Sequence, residues 1–370
     1  MIRLRPALWL LSCLPVLTLA ICAQEWTWQL PAGFPPPHVP ANNPMSVAKV
    51  ELGRYLFYDK RLSVNGKESC ASCHRQELAF TDGRSRAEGT MGDLDPRSAM
   101  SLANVAYAPS LMWAHPTLDS LEDQALIPLL NNDPPELGFG GYEGNLDEFL
   151  TMARNDATYQ RLFPRAFPGD TAMAMGHVAK ALAAFERSIV SLRSPYDRYR
   201  AGDNAAISES AKRGEALFSS ADRGGCVQCH GGWNFSSVRL EGETQGPANR
   251  GLFANTGVGV YEAPNRGLFE RTGDSKDVGK FRVPTLRNIA VTDPYMHDGS
   301  LATLEEVIAH YEAGGRMNQP GKSPELRPFR FSEQEKQDLI EFLKSLTDEE
   351  LLRDPRWSDP WPSQSVIGAQ

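Results

Sequence analysis

Apolar residues along this chain recur mostly at helical spacing, and nowhere do they alternate long enough to predict a strand. Between Met173 and Leu192, the positions Val178, Ala181, Leu182 and Phe185 fall on one helix face. Two further helical segments, opened by Ser46 and Ser208 as N-caps, end on the pairs Leu56-Phe57 and Leu217-Phe218. Ser120-Leu121-Glu122-Asp123 and Thr303-Leu304-Glu305-Glu306 both read as capped starts with acidic residues in the first turn, where the helix dipole favours them. Ser332-Glu333-Gln334-Glu335 is a capping box, and the last helix is expected to end near Thr347. Gly and Pro mark long loops at Leu30–Pro44 and Gly242–Gly279. A loop as long as the second is more often functional than a missed element. The pattern predicts an all-α fold with long loops.

Several of these elements occur twice, in the same order. Gly53-Arg54-Tyr55-Leu56-Phe57 precedes Cys70-Ala71-Ser72-Cys73-His74, and Gly214-Glu215-Ala216-Leu217-Phe218 precedes Cys226-Val227-Gln228-Cys229-His230. Downstream, Ser101-Leu102-Ala103-Asn104-Val105-Ala106 matches Thr285-Leu286-Arg287-Asn288-Ile289-Ala290. Nine residues after each Asn stand Trp113 and His297, and then the paired helix starts at Ser120 and Thr303. A module repeated in tandem is the economical reading. It divides the chain into a leader (1–23), a first domain (24–200), a second (201–350) and a polar tail (351–370) without a readable role.

Each copy carries one C-x-x-C-H signature, and together they use every cysteine outside the first 22 residues. Two thiols three positions apart can each add to one vinyl group of the same porphyrin, and the adjacent His then ligates its iron. Disulfides or a zinc site are the alternatives. Neither needs a His directly after both motifs. The spacing therefore predicts two covalently bound haem c groups. Such attachment follows export, and the N-terminus agrees: Arg3 and Arg5 start an apolar run from Ala7 to Cys22, with the small residues Ala20, Cys22 and Ala23 for cleavage. We expect a periplasmic protein that does not span the membrane once this leader is removed. Its loss takes the formal charge from −8 to −10 by removing two arginines, which disfavours nucleic-acid binding.

Six residues past Glu122 the first copy has Pro128, and six past Glu305 the second has Tyr311. If the copies are equivalent, Tyr311 can ligate the second iron, whereas Pro128 offers no donor atom to the first. Met317 and Met296 are rival ligands for the second iron. No His lies between residues 75 and 103 to block the first iron, and His115, farther on, is the rival ligand there. An open iron can activate a small oxygen species, while a doubly ligated one passes electrons. Breaking a peroxide O–O bond needs a group that moves a proton. Glu136, in a loop stiffened by Pro134 and Pro135, is the candidate, with a solvated loop acid as the alternative. A buried structural Trp is the alternative role for Trp113.

The pattern resembles the bacterial di-haem cytochrome c peroxidase and MauG superfamily over nearly the whole mature chain. Besides both haem motifs, it is carried by Phe281-Arg282-Val283-Pro284-Thr285-Leu286-Arg287-Asn288, Pro294-Tyr295-Met296-His297-Asp298-Gly299-Ser300 and Leu304-Glu305-Glu306. Fourteen residues after the position of His297, peroxidases of this group carry an axial Met and MauG an axial Tyr; this chain has Tyr311. Asn43-Pro44-Met45, Leu56-Phe57-Tyr58-Asp59 and Ala99 to Tyr107 look most like the MbnH-like branch. The resemblance implies two cytochrome c-like domains in tandem, and a bis-ferryl state that oxidises tryptophan in an exported partner protein to kynurenine. It also implies that Gln124, Pro128 and Glu136 line the open haem, that Trp113 relays charge between haems, and that Asn104 with the Thr292 and Pro294 backbone holds a calcium ion. Two departures stand out. Glu136 lies twelve residues after Gln124 where the family has ten, and Trp113 stands in Leu111-Met112-Trp113-Ala114, not in a Trp-Asp-Gly setting.

Two enzymatic readings follow. Hydrogen peroxide oxidises a haem pair that then acts on a docked protein, or a small cytochrome c or cupredoxin delivers electrons for reduction of peroxide to water. A plain electron carrier is the third, non-catalytic reading.

Overall fold

The computed structural model describes residues 24–362 except 132, 141–142, 171, 237–252 and 317–320, so the leader, Met317 and the end of the tail lie outside the described residues. The first half contains α1 (Val47–Tyr58), α2 (Cys70–Cys73), α3 (Leu121–Leu130), α4 (Glu143–Asn155), α5 (Ala157–Ala166) and α6 (Met175–Arg187). The second contains α7 (Pro195–Arg200), α8 (Glu209–Ser219), α9 (Cys226–His230), α10 (Phe269–Thr272), α11 (Leu304–Glu312) and α12 (Glu333–Lys344). Between α9 and α11, β1 (Phe253–Ala254) pairs antiparallel with β2 (Phe281–Arg282), the single sheet among the described residues. No described helix is long and apolar enough to cross a membrane.

The caps read from sequence hold these helices. Ser46, Ser120, Ser208, Thr303 and Ser332 each accept the amide three residues on, removing one of the amides that a helix start leaves unpaired. Elements α4 and α5 belong to the first half alone. Tyr159 of α5 is fully buried and donates to Asp59 just past α1 at 2.7 Å.

The repeat is a packing motif twice over. In the first half α1 lies on α6, and a Cβ on Gly53 would stand 1.9 Å from the Ala181 carbonyl oxygen. In the second, α8 lies on α12, and a Cβ on Gly214 would stand 1.9 Å from the Asp338 carbonyl oxygen. Only a hydrogen fits at either crossing. The close approach packs equivalent aromatic pairs at a tilt, Phe57 against Phe185 at 5.0 Å and Phe218 against Phe342 at 5.2 Å. Each pair anchors its own core: Leu52, Leu56, Leu182 and Ile189 surround the first, and Leu339, Ile340, Leu343 and Leu346 the second.

Two expectations change. The segment from residue 351 is no polar tail, because Leu351 and Trp357 join the first core and Trp357 Nε1 donates to Ser188 at 3.2 Å. Trp361 follows, donating to the Tyr55 carbonyl at 3.0 Å. The chain thus crosses back from the second half to strap the first. Tyr196 of α7, placed by sequence in the first unit, packs against the second core.

Replacing Gly214 by Ala forces apart the crossing that carries the second core. We expect a loss of about 1–3 kcal/mol in stability. The check is the denaturant midpoint of the second-half transition, and an unchanged midpoint would contradict this packing account.

Candidate di-haem active site

Helices α2 and α9 place each pair of cysteines at positions i and i+3, on one helical face. None of the four forms a disulfide. His74 Nδ1 lies 2.8 Å from the Phe80 carbonyl, and His230 Nδ1 lies 3.0 Å from the Phe235 carbonyl. A carbonyl only accepts, so both imidazoles carry their proton on Nδ1, which leaves Nε2 as the nitrogen that would ligate a metal. Burial pulls both below the ordinary His range, toward the neutral form that a metal takes.

Each motif lines its own cleft. The first encloses about 1340 Å³ of space and the second about 1320 Å³, part of each open to solvent. The match in size, the thiol pair, the neutral imidazole and the apolar walls fit one haem c per cleft.

The copies then diverge. Pro128 and Tyr311 are each the eighth residue of their helix, α3 and α11, and each lines its cleft. Burial raises the Tyr311 phenol well above its usual range, so it stays protonated unless a metal takes its oxygen. Met296 lines the second cleft as well, and Met317 lies outside the described residues. Apart from His74, no His is among the walls of the first cleft, and His115 is not there. Gln124 and Glu136 are. Glu136 is held by backbone: Thr90 N donates to its carbonyl at 3.0 Å, and Leu137 N donates to the Pro128 carbonyl at 2.8 Å. Burial, with Asp95 as a like charge nearby, pushes its carboxyl up to about 7.

Sequence reasoning missed two residues. Glu186 of α6 lines the first cleft with Oε2 buried and unpaired, and burial pushes its carboxyl up to about 8. Its one signal was a charge beside Phe185 on an otherwise apolar helix face. Arg282 stands inside a quoted motif but received no role. It lines both clefts.

Trp113 also lines both clefts, together with a smaller cavity of about 590 Å³ between them, part of it open to solvent. Its Nε1 donates to the Ser98 carbonyl at 2.8 Å, and its ring lies 6.4 Å from that of His297, its counterpart in the repeat. The structure brings together part of the calcium set that the resemblance implies. Thr292 and Pro294 line the small cavity, but Asn104 does not. The Asn104 amide is spent on Ser191 and Asn234, donating to the Ser191 carbonyl and the Asn234 side chain at 3.0 Å each and accepting the Ser191 amide at 2.8 Å. The cavity instead offers Asp293 and Asp82, whose Oδ2 is buried without a partner. Those oxygens suit a hard cation. No cluster of three or more acidic, His or Cys side chains poised for a metal occurs among the described residues.

Comparison with known proteins agrees with this geometry. The family model for di-haem cytochrome c peroxidase matches residues 47–205, and that for cytochrome c matches residues 211–347. The cytochrome-c peroxidase IdrP1 of Denitromonas iodatirespirans is 39% identical, covering 85% of each chain. The methylamine utilization protein MauG of Methylorubrum extorquens is 38% identical, covering 85% of this chain and 82% of its own. A crystal structure of a MauG-like protein associated with microbial copper homeostasis superposes with a TM-score of 0.86 at 45% identity, covering 91% of this chain and all of that one. The chain belongs to the di-haem cytochrome c peroxidase and MauG family of haem-dependent oxidoreductases.

Proposed function

We propose that this protein works in the periplasm, where it uses hydrogen peroxide to store oxidising equivalents across two unlike haems and spends them on a residue of a docked protein, tryptophan by preference. The observation that carries the reading is Tyr311, in the second cleft, at the repeat position where the first has Pro128. A phenolate is a hard anionic donor that favours oxidised iron, and Tyr in place of Met separates MauG from the peroxidases. The likeness to MauG and to the MauG-like structure supports it.

Bound haem would supply the electrons that peroxide takes as its O–O bond breaks. This chain's residues set the proton path. Glu136 in its carboxylate form takes the proton of incoming peroxide and delivers it to the leaving oxygen. Gln124 orients peroxide through its amide, and Pro128, lacking any donor, keeps that face open. Trp113, shared by both clefts, lets charge pass between them. The substrate protein remains outside, reaching neither cleft. A hard cation held by Asp82 and Asp293 with the Thr292 and Pro294 backbone would brace the wall between the two.

Ordinary peroxide reduction, fed by a small cytochrome c or cupredoxin, is the second reading. Relatives named as cytochrome-c peroxidases favour it.

Three outcomes test these roles. Tyr311→Phe should change the absorption of the second haem and leave the first intact, whereas Met296→Leu should change neither; an unaltered Tyr311→Phe spectrum removes Tyr311 as ligand. Glu136 works deprotonated and its carboxyl stands at about 7, so the peroxide reaction should speed up as pH rises through neutrality. Glu136→Gln should slow it on the order of 10²-fold and flatten that profile, and a normal rate in stopped flow would end its role. Peroxide added to fully ferric protein should oxidise a co-exported tryptophan-bearing partner, read by mass spectrometry. A strict need for prior one-electron reduction, with no change in partner mass, would favour the peroxidase reading.

A further inference from the structure

Arg282 presents a physical problem that its surroundings do not solve. Its amide donates to the Trp113 carbonyl at 2.8 Å and its Cα is paired with Phe253 across the β1–β2 ladder, so the backbone is fixed. The guanidinium is not so well served. Nη2 meets the Met100 sulfur at 3.4 Å, a weak acceptor, and Nε is buried without any partner. No described carboxylate pairs with it. Arg282 is half-buried among the cavities it lines, and burial alone pulls its pKa down to about 10.

Two fully buried arginines are treated differently. Arg187 holds both oxygens of Glu122 at 3.0 and 3.1 Å, and Arg287 holds both oxygens of Asp197 at 2.9 Å. An enclosed guanidinium is tolerated when an anion and its hydrogen bonds accompany it. Arg282 lacks such an anion in the protein and lines three cavities at once: both haem clefts and the small cavity between them.

The porphyrins bring the missing charge. Each haem c carries two propionates, on the edge opposite the vinyl carbons that bind cysteine. Cys70 and Cys73 line only the first cleft and Cys226 and Cys229 only the second, whereas Arg282 belongs to both. A haem anchored through those cysteines would carry its propionates on the edge away from them, where the wall shared by both clefts could receive them. A planar fork of five donors suits two carboxylates approaching from two sides.

We propose that Arg282 is a positioning residue whose guanidinium binds a propionate of each haem, so that one side chain orients both porphyrins and raises both reduction potentials. A cation beside a porphyrin favours the more electron-rich ferrous state, so its removal lowers the potential. The inference rests on the two-haem reading only, and holds whichever protein or donor the enzyme serves.

The test uses the mature holoprotein with no peroxide or partner present, so its failure cannot be confused with failure of the proposed reaction. Arg282→Gln is titrated optically against a redox poise. At a fixed poise the ferrous-to-ferric ratio of both haems should fall on the order of tenfold, which is about 59 mV for a one-electron couple. Unchanged potentials at full haem loading would overturn the proposal, and a shift confined to one haem would overturn the shared contact. Should Arg282→Gln fail to mature, Arg282→Lys keeps the charge but loses the fork. Its resonance Raman spectrum should then show altered propionate bending modes for both haems, and spectra identical to those of the unmodified protein would refute the contact.

Discussion

A buried polar network around Ser191 holds the two halves in register, and the geometry of both clefts depends on it. Asn104 and Asn288, equivalent in the repeat, both adopt the left-handed conformation that Asn tolerates better than most residues. Each amide donates to the carbonyl at the end of its partner helix, Asn104 to Ile189 at 2.9 Å and Asn288 to Leu346 at 3.0 Å. The side chains then converge: Asn104 binds the Ser191 backbone and Asn234, Asn288 receives the Asp348 amide, and both Asn288 and Asp348 contact the Ser191 hydroxyl. Ser191, Asn104, Asn288, Asn234 and Asp348 are all buried, so losing any partner strands the others. Asn234 lies four residues beyond His230, and the network therefore ties the second haem motif directly to the first domain.

On this near-symmetric frame the chemistry is asymmetric. The same helix position points Pro128 into one cleft and Tyr311 into the other. The same loop position gives Trp113 in one copy and His297 in the other. Those two rings meet 6.4 Å apart, with His297 stacked on Phe281 at 3.6 Å. The first cleft gathers carboxyls that burial keeps from ionising readily, Glu136 and Glu186, as proton handling near neutral pH requires. The second gathers mostly apolar side chains, with the phenols of Tyr295 and Tyr311 among them.

Much of this was legible in the sequence because it depends on local rules. The cap residues placed five helices to within a residue at their starts, and the C-x-x-C-H motifs marked both clefts. The two glycines that open the repeat turned out to be the crossing points of α1 and α8. What stayed hidden depends on distant pairing. Helices α4 and α5 have no counterpart in the second half, so the repeat could not suggest them. Trp357 and Trp361 lie in a polar stretch whose apolar partners, such as Tyr55, are some 300 residues away. The resemblance assigns Asn104 a calcium role by position, whereas its side-chain bonds to Ser191 and Asn234 become visible only in the fold. Nothing local to Arg282 in the sequence signals that it lacks a paired carboxylate among the described residues.

The central claim is that two similar modules hold irons of different accessibility, one open beside Glu136 and one closed by Tyr311. Low-temperature electron paramagnetic resonance of the all-ferric protein, with and without cyanide, tests it most directly. The account predicts two distinct iron signals, of which only the one from the His74 haem responds to cyanide. Two equivalent, doubly ligated centres that both ignore cyanide would contradict it.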